Sequence, residues 1–423
     1  MRRGMAIAIT AIAVSLGLAA CGGGEESTGG AVTLNWFIFN EPSGGPQKIA
    51  ERCSQQSNGA YTINFEYLPA QADQQREQLV RRLGAEDSSL DLLGLDVVWT
   101  GEFANAGWLE PVPRDTEQKV SSNVFDPVLE TARFEGEMVT VPIWSNTQLL
   151  WYRKDRVPRP PQTWDEMIDI AERIGPDGGR IQIQGNRYEG LVVLVNQLME
   201  SAGTSFLAGP KEVLLAEQPT KKALAILGRL SNSPIAAPNI TTSTEDSARL
   251  GFEAGNSAFQ INYPFVFPSA KENAPEVFKQ MGVAQYPAVE AGQESKPPIG
   301  GINIGVSAFS DHKQEAFDAI ECLVQPENQL EVARLGGLPP VREDLYDRPV
   351  MDSEVYPGFA DQIRESIRNA APRPSQSPAY QDLSLAIQRA VHPTTQIDPQ
   401  NPDETYDRLL NNVEKAVKRE GLL

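Results

Sequence analysis

The sequence predicts an α/β protein with a mostly parallel sheet. Three observations carry this. Apolar, strand-like runs alternate with helix-like segments from residue 33 onward. One of these runs is apolar almost without a break, as expected of a strand covered on both faces. And 423 residues are too many for one ordinary core, which predicts two domains.

The elements follow in order. TLNWFIFN (33–40) reads as a buried strand, and PQKIAERCSQQSNG as a helix stopped at Asn58-Gly59. TINFEYL (62–68) alternates, with Ile63, Phe65 and Tyr67 on one face. Asp73 can cap a helix that carries Leu79, Val80 and Leu83 and ends at Gly84. LDLLGLDVVW (90–99) is the nearly continuous apolar strand. Further on, Thr163-Trp164-Asp165-Glu166 is a capping box, and Met167, Ile170, Ala171 and Ile174 keep helical spacing up to Gly175-Pro176. LVVLVNQLM (191–199) is apolar nearly all round and predicts a buried helix. PPIGGINIGVSAF (297–309) predicts a strand opened by a glycine pair, and LLNNVEKAVKREGLL an amphipathic terminal helix. There is no internal repeat.

The N-terminus, MRRGMAIAITAIAVSLGLAAC, has the anatomy of an export signal: Arg2 and Arg3, then an uncharged stretch from Met5 to Leu18 that is too short for a comfortable membrane span. Leu18-Ala19-Ala20-Cys21 resembles a bacterial lipobox. The resemblance implies cleavage before Cys21 and lipid on its thiol and new amino group; the alternative is an ordinary cleaved signal with Cys21 incidental. GGGEESTGG then reads as a flexible tether. With Cys21 lipidated, Cys53 and Cys322 are an even pair in an oxidising compartment. They are either a disulfide between distant parts of the chain or two buried thiols, and the disulfide is the expectation.

Composition and motifs exclude several chemistries. A formal net charge of −19 argues against nucleic acid. The two histidines, His312 and His392, have no metal-ligand spacing, and no GxSxG supports a serine triad. There is no phosphate loop and no dinucleotide fingerprint. No cofactor and no metal are expected. Glycoside hydrolysis stays open, because it needs only two suitably spaced carboxylates and the chain has 56 acidic residues.

Among binding candidates, Asp96 lies near the end of an apolar strand, where open α/β sheets bind ligands. Its carboxylate needs hydrogen bonds there, from a ligand or from backbone amides at the next helix start. INYPFVF (261–267) gathers three aromatics around Pro264 and reads either as core or as a flat platform.

DVVWTGEFANAGWLEP, VPIWSNTQLLWYRKD, GFEAGNSAFQINYPFVF, PPIGGINIGVS and GGLPPVRED occur in this order after the lipobox. In these the chain resembles the sugar-binding lipoproteins of bacterial ABC importers, above all the actinobacterial trehalose and α-glucoside binders related to maltose-binding proteins. The resemblance covers residues 31–423. It implies a two-lobed periplasmic-binding-protein fold of type II with a hinge and an interlobe cleft. Lobe 1 is expected over 31–144 plus 285–325 and lobe 2 over 147–270 plus 326–423, with crossings near 145–146, 271–284 and 325–326. It places Cys53 and Cys322 on first-lobe helices, consistent with the disulfide.

The resemblance also implies site residues. Asp96 matches a carboxylate that binds a glucose unit. Asn40 and Glu41 sit on the loop after the first strand, Gln74 and Arg76 in the first turn of a cleft-facing helix, and Asn146 at the first crossing. Glu189 precedes the buried helix, Gly301 would let backbone approach the ligand, and Arg373 matches a C-terminal arginine that reaches the sugar. Tyr263, with Asn262 beside it, stands where relatives carry a stacking tryptophan. The implied function is capture of a disaccharide, trehalose or a related α-glucoside, by a monomeric, lipid-anchored protein outside the cell membrane, which passes it to ABC permease subunits without catalysis. The alternatives are a secreted enzyme acting on α-glucosides, or a binder of another polyol or oligosaccharide.

Overall fold

The computed structural model describes residues 30–418. The readings of 1–20 as an export signal, of the tether up to Ser27, Thr28 and Gly29, and of Cys21 as a lipid site lie outside the described residues.

Two sheets organise the chain. The strands are β1 (Val32–Phe39), β2 (Tyr61–Leu68), β3 (Leu92–Asp96), β4 (Arg133–Phe134), β5 (Glu137–Met138), β6 (Val141–Asn146), β7 (Leu149–Arg153), β8 (Arg180–Gln182), β9 (Ser257–Asn262), β10 (Met281–Ala284) and β11 (Gly300–Val306). The first sheet has the order β2-β1-β3-β11-β6, the second β10-β7-β9-β8, and β4 and β5 form a small hairpin. β2, β1 and β3 run parallel, while β11 is antiparallel to both β3 and β6. The α/β class follows from the sequence pattern, but the expectation of a mostly parallel sheet does not hold: β11 is antiparallel to both its neighbours in the first sheet, and β7 is antiparallel to both β9 and β10 in the second.

Core packing explains the apolar runs. In β1, Leu34, Trp36 and Ile38 pack on the helix Gly45–Gln56 side through Ile49 and Cys53, while Phe37 points to the other face with Leu79, Leu83 and Phe103. β3 divides likewise: Leu92 joins the first cluster, Leu93 and Leu95 the second. A strand with helices on both faces has no polar face to keep. β2 departs from expectation. It is the sheet edge, and Tyr67 is 51% exposed, so its alternating face is only partly covered. In the second lobe the helix Glu189–Ser201 is buried along almost its whole length, as its composition predicts.

Two helix starts differ from the sequence reading. The helix Ala72–Leu83 is preceded by Gln71, and Asp73 lies inside the first turn instead of capping it. Thr163 does cap Trp164–Ile174, accepting from the Glu166 amide at 3.1 Å, but Glu166 turns its carboxylate to the Gln162 amide, so the box is not reciprocal.

The crossings also shift. β6 stays in the first sheet through Asn146 and β7 opens the second at Leu149, so the first crossing is Thr147–Gln148. The return is not at 271–284: Met281–Ala284 pairs with β7 in the second sheet, and the first sheet resumes at Gly300. The helix Pro326–Gly336 does not leave the first lobe at 325–326. Its Val332 packs with Ile49 and Cys53, while Leu330 and Ala333 turn to a third cluster. That cluster joins Phe125 and Val128 to Leu149, Trp151 and the segment around Tyr346–Ile367, so the C-terminal third touches both sheets' surroundings.

Cys53 and Cys322 form the expected disulfide, with Cα atoms 5.8 Å apart and a sequence separation of 269. It ties the helix Gly45–Gln56 to the helix Lys313–Leu323.

Candidate functional site

Strand register sets the geometry. Ile302 of β11 lies opposite Asp96 at the end of β3, and Gly300 lies opposite Asn146 at the end of β6. Asp96 and Asn146 therefore come to one end of the first sheet. Across the crossing, Leu149 pairs with Asn262 at the end of β9, which brings Tyr263 to the same opening. The result is a cavity of about 650 Å³ between the two sheets' ends.

Arg373 is its central charge. Only 4% of its side chain is exposed. Its Nη2 donates to Asp96 Oδ1 at 2.9 Å, and its Nη1 donates to Glu189. Asp96 also accepts from the Val98 amide at 3.2 Å, so its carboxylate caps the next turn while it lines the cavity. Glu189, first residue of its helix, accepts from Tyr380 and, at 2.6 Å, from Ser384. Burial raises the Glu189 carboxyl despite Arg373. Burial works against the Arg373 charge as well, but Asp96, Tyr380 and Glu189 more than offset it and hold the guanidinium above its usual range. The Arg373 Nε has no partner, and neither does the buried Oδ1 of Asn146. Buried polar atoms are normally satisfied, and both of these belong to residues that line the cavity.

Eight of the eleven expected ligand residues line the cavity: Asn40, Glu41, Asp96, Asn146, Glu189, Tyr263, Gly301 and Arg373. Three do not. Gln74 is exposed on the far side of its helix turn. Arg76 is held in a two-pronged ion pair with Glu102. Asn262 is fully buried, and its amide is spent on Glu245 O, Gln260 and the Tyr263 amide. From the helix Ala72–Leu83 the cavity receives Ala72 and Gln75 instead. Gly301 lines the cavity, but its φ of +128° and lack of a side chain answer to β6: a Cβ there would lie 2.3 Å from the Trp144 carbonyl oxygen.

Several lining residues were missed. Tyr188 donates to Glu245 at 2.6 Å, and Glu245 sits in the first turn of the helix Glu245–Glu253. Burial raises the Glu245 carboxyl. Trp144 and Phe39 meet edge to face at 6.4 Å beside them. Outside the lining, Asp73, read as a cap, is bonded to the Gln381 side chain and the Glu189 amide, and burial raises its carboxyl too. The adjacency Tyr188-Glu189 was a usable signal; Glu245 and Asp73 resemble ordinary helix-start acids.

Comparison with known proteins gives these features a setting. Residues 48–357 match the profile of a family described as bacterial extracellular solute-binding protein. A probable ABC transporter-binding protein of Deinococcus radiodurans is 26% identical over 348 residues, covering 78% of this chain and 81% of that protein. Among solved structures, maltose-bound MalE3 of T. maritima superposes with a TM-score of 0.82 at 26% identity, over 92% of this chain and 100% of that one. The GacH receptor of Streptomyces glaucescens, solved unliganded and with acarbose, shares the fold with a TM-score of 0.79 at 18% identity, over 92% and 100% of the two chains. Among the described residues no helix is long and apolar enough to cross a membrane. The two sheets with an interlobe cavity are the maltose-binding-protein-like architecture, and the chain belongs to the bacterial extracellular solute-binding protein family.

Proposed function

We propose that the protein is the sugar-capturing component of an ABC importer, that it closes on a disaccharide of the trehalose or α-glucoside class, and that it hands this to a membrane permease pair. The observation that carries the reading is the pair of unpartnered buried atoms, Asn146 Oδ1 and Arg373 Nε, on a cavity lined by groups from both sheets. Hydroxyls both donate and accept, so a sugar can serve each of them. Tyr263 supplies an aromatic face and a hydroxyl, while Tyr188, Trp144 and Phe39 add apolar surface. The family and the maltose-bound relative support a saccharide.

Contacts from both lobes exist together only when the lobes are closed, so ligand shifts the population toward closure. The protein acts without cofactor, metal or bond cleavage, and it sits outside the membrane, anchored through lipid on Cys21. Tyrosine at 263, in place of the tryptophan that the resemblance implies there, bears on which sugar is taken more than on whether one is.

Titration calorimetry of the delipidated body against trehalose, maltose and sucrose, after removal of any co-purified ligand, tests the reading. One of these sugars should bind near one to one and be recovered intact. Binding of none, or recovery of split sugar, rejects it. Intact mass of the membrane-derived protein tests the lipid.

A further inference from the structure

The cavity wall carries more acceptors than the rest of the protein can serve. Six carboxylates line it, against two arginines and no lysine. Both arginines are engaged already. Arg373 lies between Asp96 and Glu189, and Arg249 pairs with Glu253 at 2.8 Å and Asp246 at 3.5 Å. Arg76, which would have added positive charge, is turned away to Glu102.

Glu245, Glu41 and the exposed Glu272 are left without a cation. Glu245 is half-buried, and the groups that act on it are the Tyr188 hydroxyl, a backbone amide and two more anions, Asp246 and Asp96. Glu41 is 7% exposed and is served only by Ser43. Among the described residues no three acidic groups gather as a metal-binding cluster, so the surplus is spread around the wall. The same wall presents the unpartnered Asn146 Oδ1, another acceptor, and the unpartnered Nε of the almost fully buried Arg373 marks it as a place where a ligand completes the bonding. A buried carboxylate is costly unless paired or hydrogen-bonded. A sugar hydroxyl brings one donor with its own acceptor lone pairs; an ammonium brings three N–H donors, a full charge and no acceptor.

We propose that the saccharide taken by this cleft carries an amine, and that its ammonium group rests against the Glu245 carboxylate. This rests on the reading of the cleft as a saccharide site and narrows the substrate class. It also accounts for the engagement of both cavity arginines by protein carboxylates, which keeps repulsive charge away from the incoming cation.

The test uses matched probes on the folded, ligand-stripped protein at neutral pH: glucose and glucosamine, trehalose and 2-amino-2-deoxytrehalose, and the N-acetylated form of each amine. The amines should bind at least tenfold tighter than their neutral parents. N-acetylation, which removes the charge, should abolish that advantage, and so should Glu245→Gln, read as the ratio of amine to neutral affinity in a variant whose melting curve stays cooperative. Equal affinity for amine and parent overturns the amine proposal and leaves the saccharide reading standing. No binding of any probe overturns the amine proposal, and the saccharide reading falls with it if maltose and sucrose fail to bind as well. An amine advantage that survives Glu245→Gln but not Glu41→Gln overturns the placement at Glu245.

Discussion

Arg373 donates to Asp96 at 2.9 Å, which fastens the loop before the C-terminal helices to the last residue of a first-sheet strand. The loop has other holds on that side. Gln376 donates to the carbonyls of Glu130 and Arg133, and a Cβ on Gly101 would meet the Ser375 carbonyl at 2.5 Å. Since Arg373 also reaches Glu189 at the start of a second-lobe helix, one guanidinium spans the cleft.

Removing it should therefore be costly in two ways. Arg373→Ala leaves Asp96 and Glu189 buried without their cation, and breaking a buried pair from one side costs about 3–5 kcal/mol. The variant should unfold at lower denaturant and lose sugar affinity. Asp96→Asn, which keeps the shape, should weaken binding by about tenfold or more. Chemical denaturation and calorimetry measure both. Parental affinity in Asp96→Asn would remove its carboxylate from the site.

Tyr263 separates two roles. Tyr263→Ala removes the aromatic face and the hydroxyl, while Tyr263→Phe removes the hydroxyl alone. Affinity should fall in both, further in the alanine variant, and the loss in Tyr263→Phe should be about 0.5–1.5 kcal/mol. Tyr263→Trp should change the ranking of the sugars. Calorimetry over the panel reads all three, and unchanged affinity throughout would return INYPFVF to ordinary core.

The disulfide should matter for stability and not for recognition. Cys53 and Cys322 sit on two first-lobe helices and neither lines the cavity. Replacing both by serine should cost about 2–5 kcal/mol, seen as a lower Tm, with ligand affinity kept.

Much of this was legible beforehand, and the failures have local causes. The runs at β1 and β3 read correctly because a strand buried on both faces is apolar throughout, and a lone carboxylate at the end of such a run, Asp96, stands out. Gln74 and Arg76 failed by rotation: each residue turns a helix by about 100°, so moving one position along the chain exchanges Gln74 for the buried Gln75. Asn262 failed because its backbone neighbours claim its amide first. Glu245 and Asp73 were hidden because an acid in a first helical turn already has a local explanation. The return crossing was misplaced because Met281–Ala284 is too short to show a strand period, and only its pairing with β7 fixes its sheet.

Gly301 gives a test of what its position requires. Gly301→Ala adds a Cβ 2.3 Å from the Trp144 carbonyl oxygen at a φ of +128°. Strain of this kind costs about 1–3 kcal/mol. Because Gly300 pairs with Asn146, any yielding of β6 moves a cavity residue, so both Tm and affinity should fall. A loss of affinity with an unchanged Tm would instead favour direct crowding of the ligand.

The raised carboxyls predict a pH dependence with a definite sign. Glu41, Asp73, Glu189 and Glu245 are all pushed up, chiefly by burial. For such groups the folded state binds more protons than the unfolded one between the unfolded value, about 4, and the higher folded value. Their contribution to stability therefore falls as pH rises through that window and recovers as pH is lowered. Asp87, Asp155, Glu331 and Asp344 are lowered by their basic or hydroxyl partners and act in the opposite sense. The whole-protein curve mixes both sets, so a difference isolates the cleft. Glu245→Gln removes one raised group, and its stability relative to the parent should increase from pH 4.5 toward pH 7 in denaturant titrations. A difference independent of pH would mean that Glu245 carries its charge in the folded protein as readily as in the unfolded chain. Burial, together with the nearby Asp246 and Asp96 charges, argues otherwise, against the opposing hydrogen bond from Tyr188.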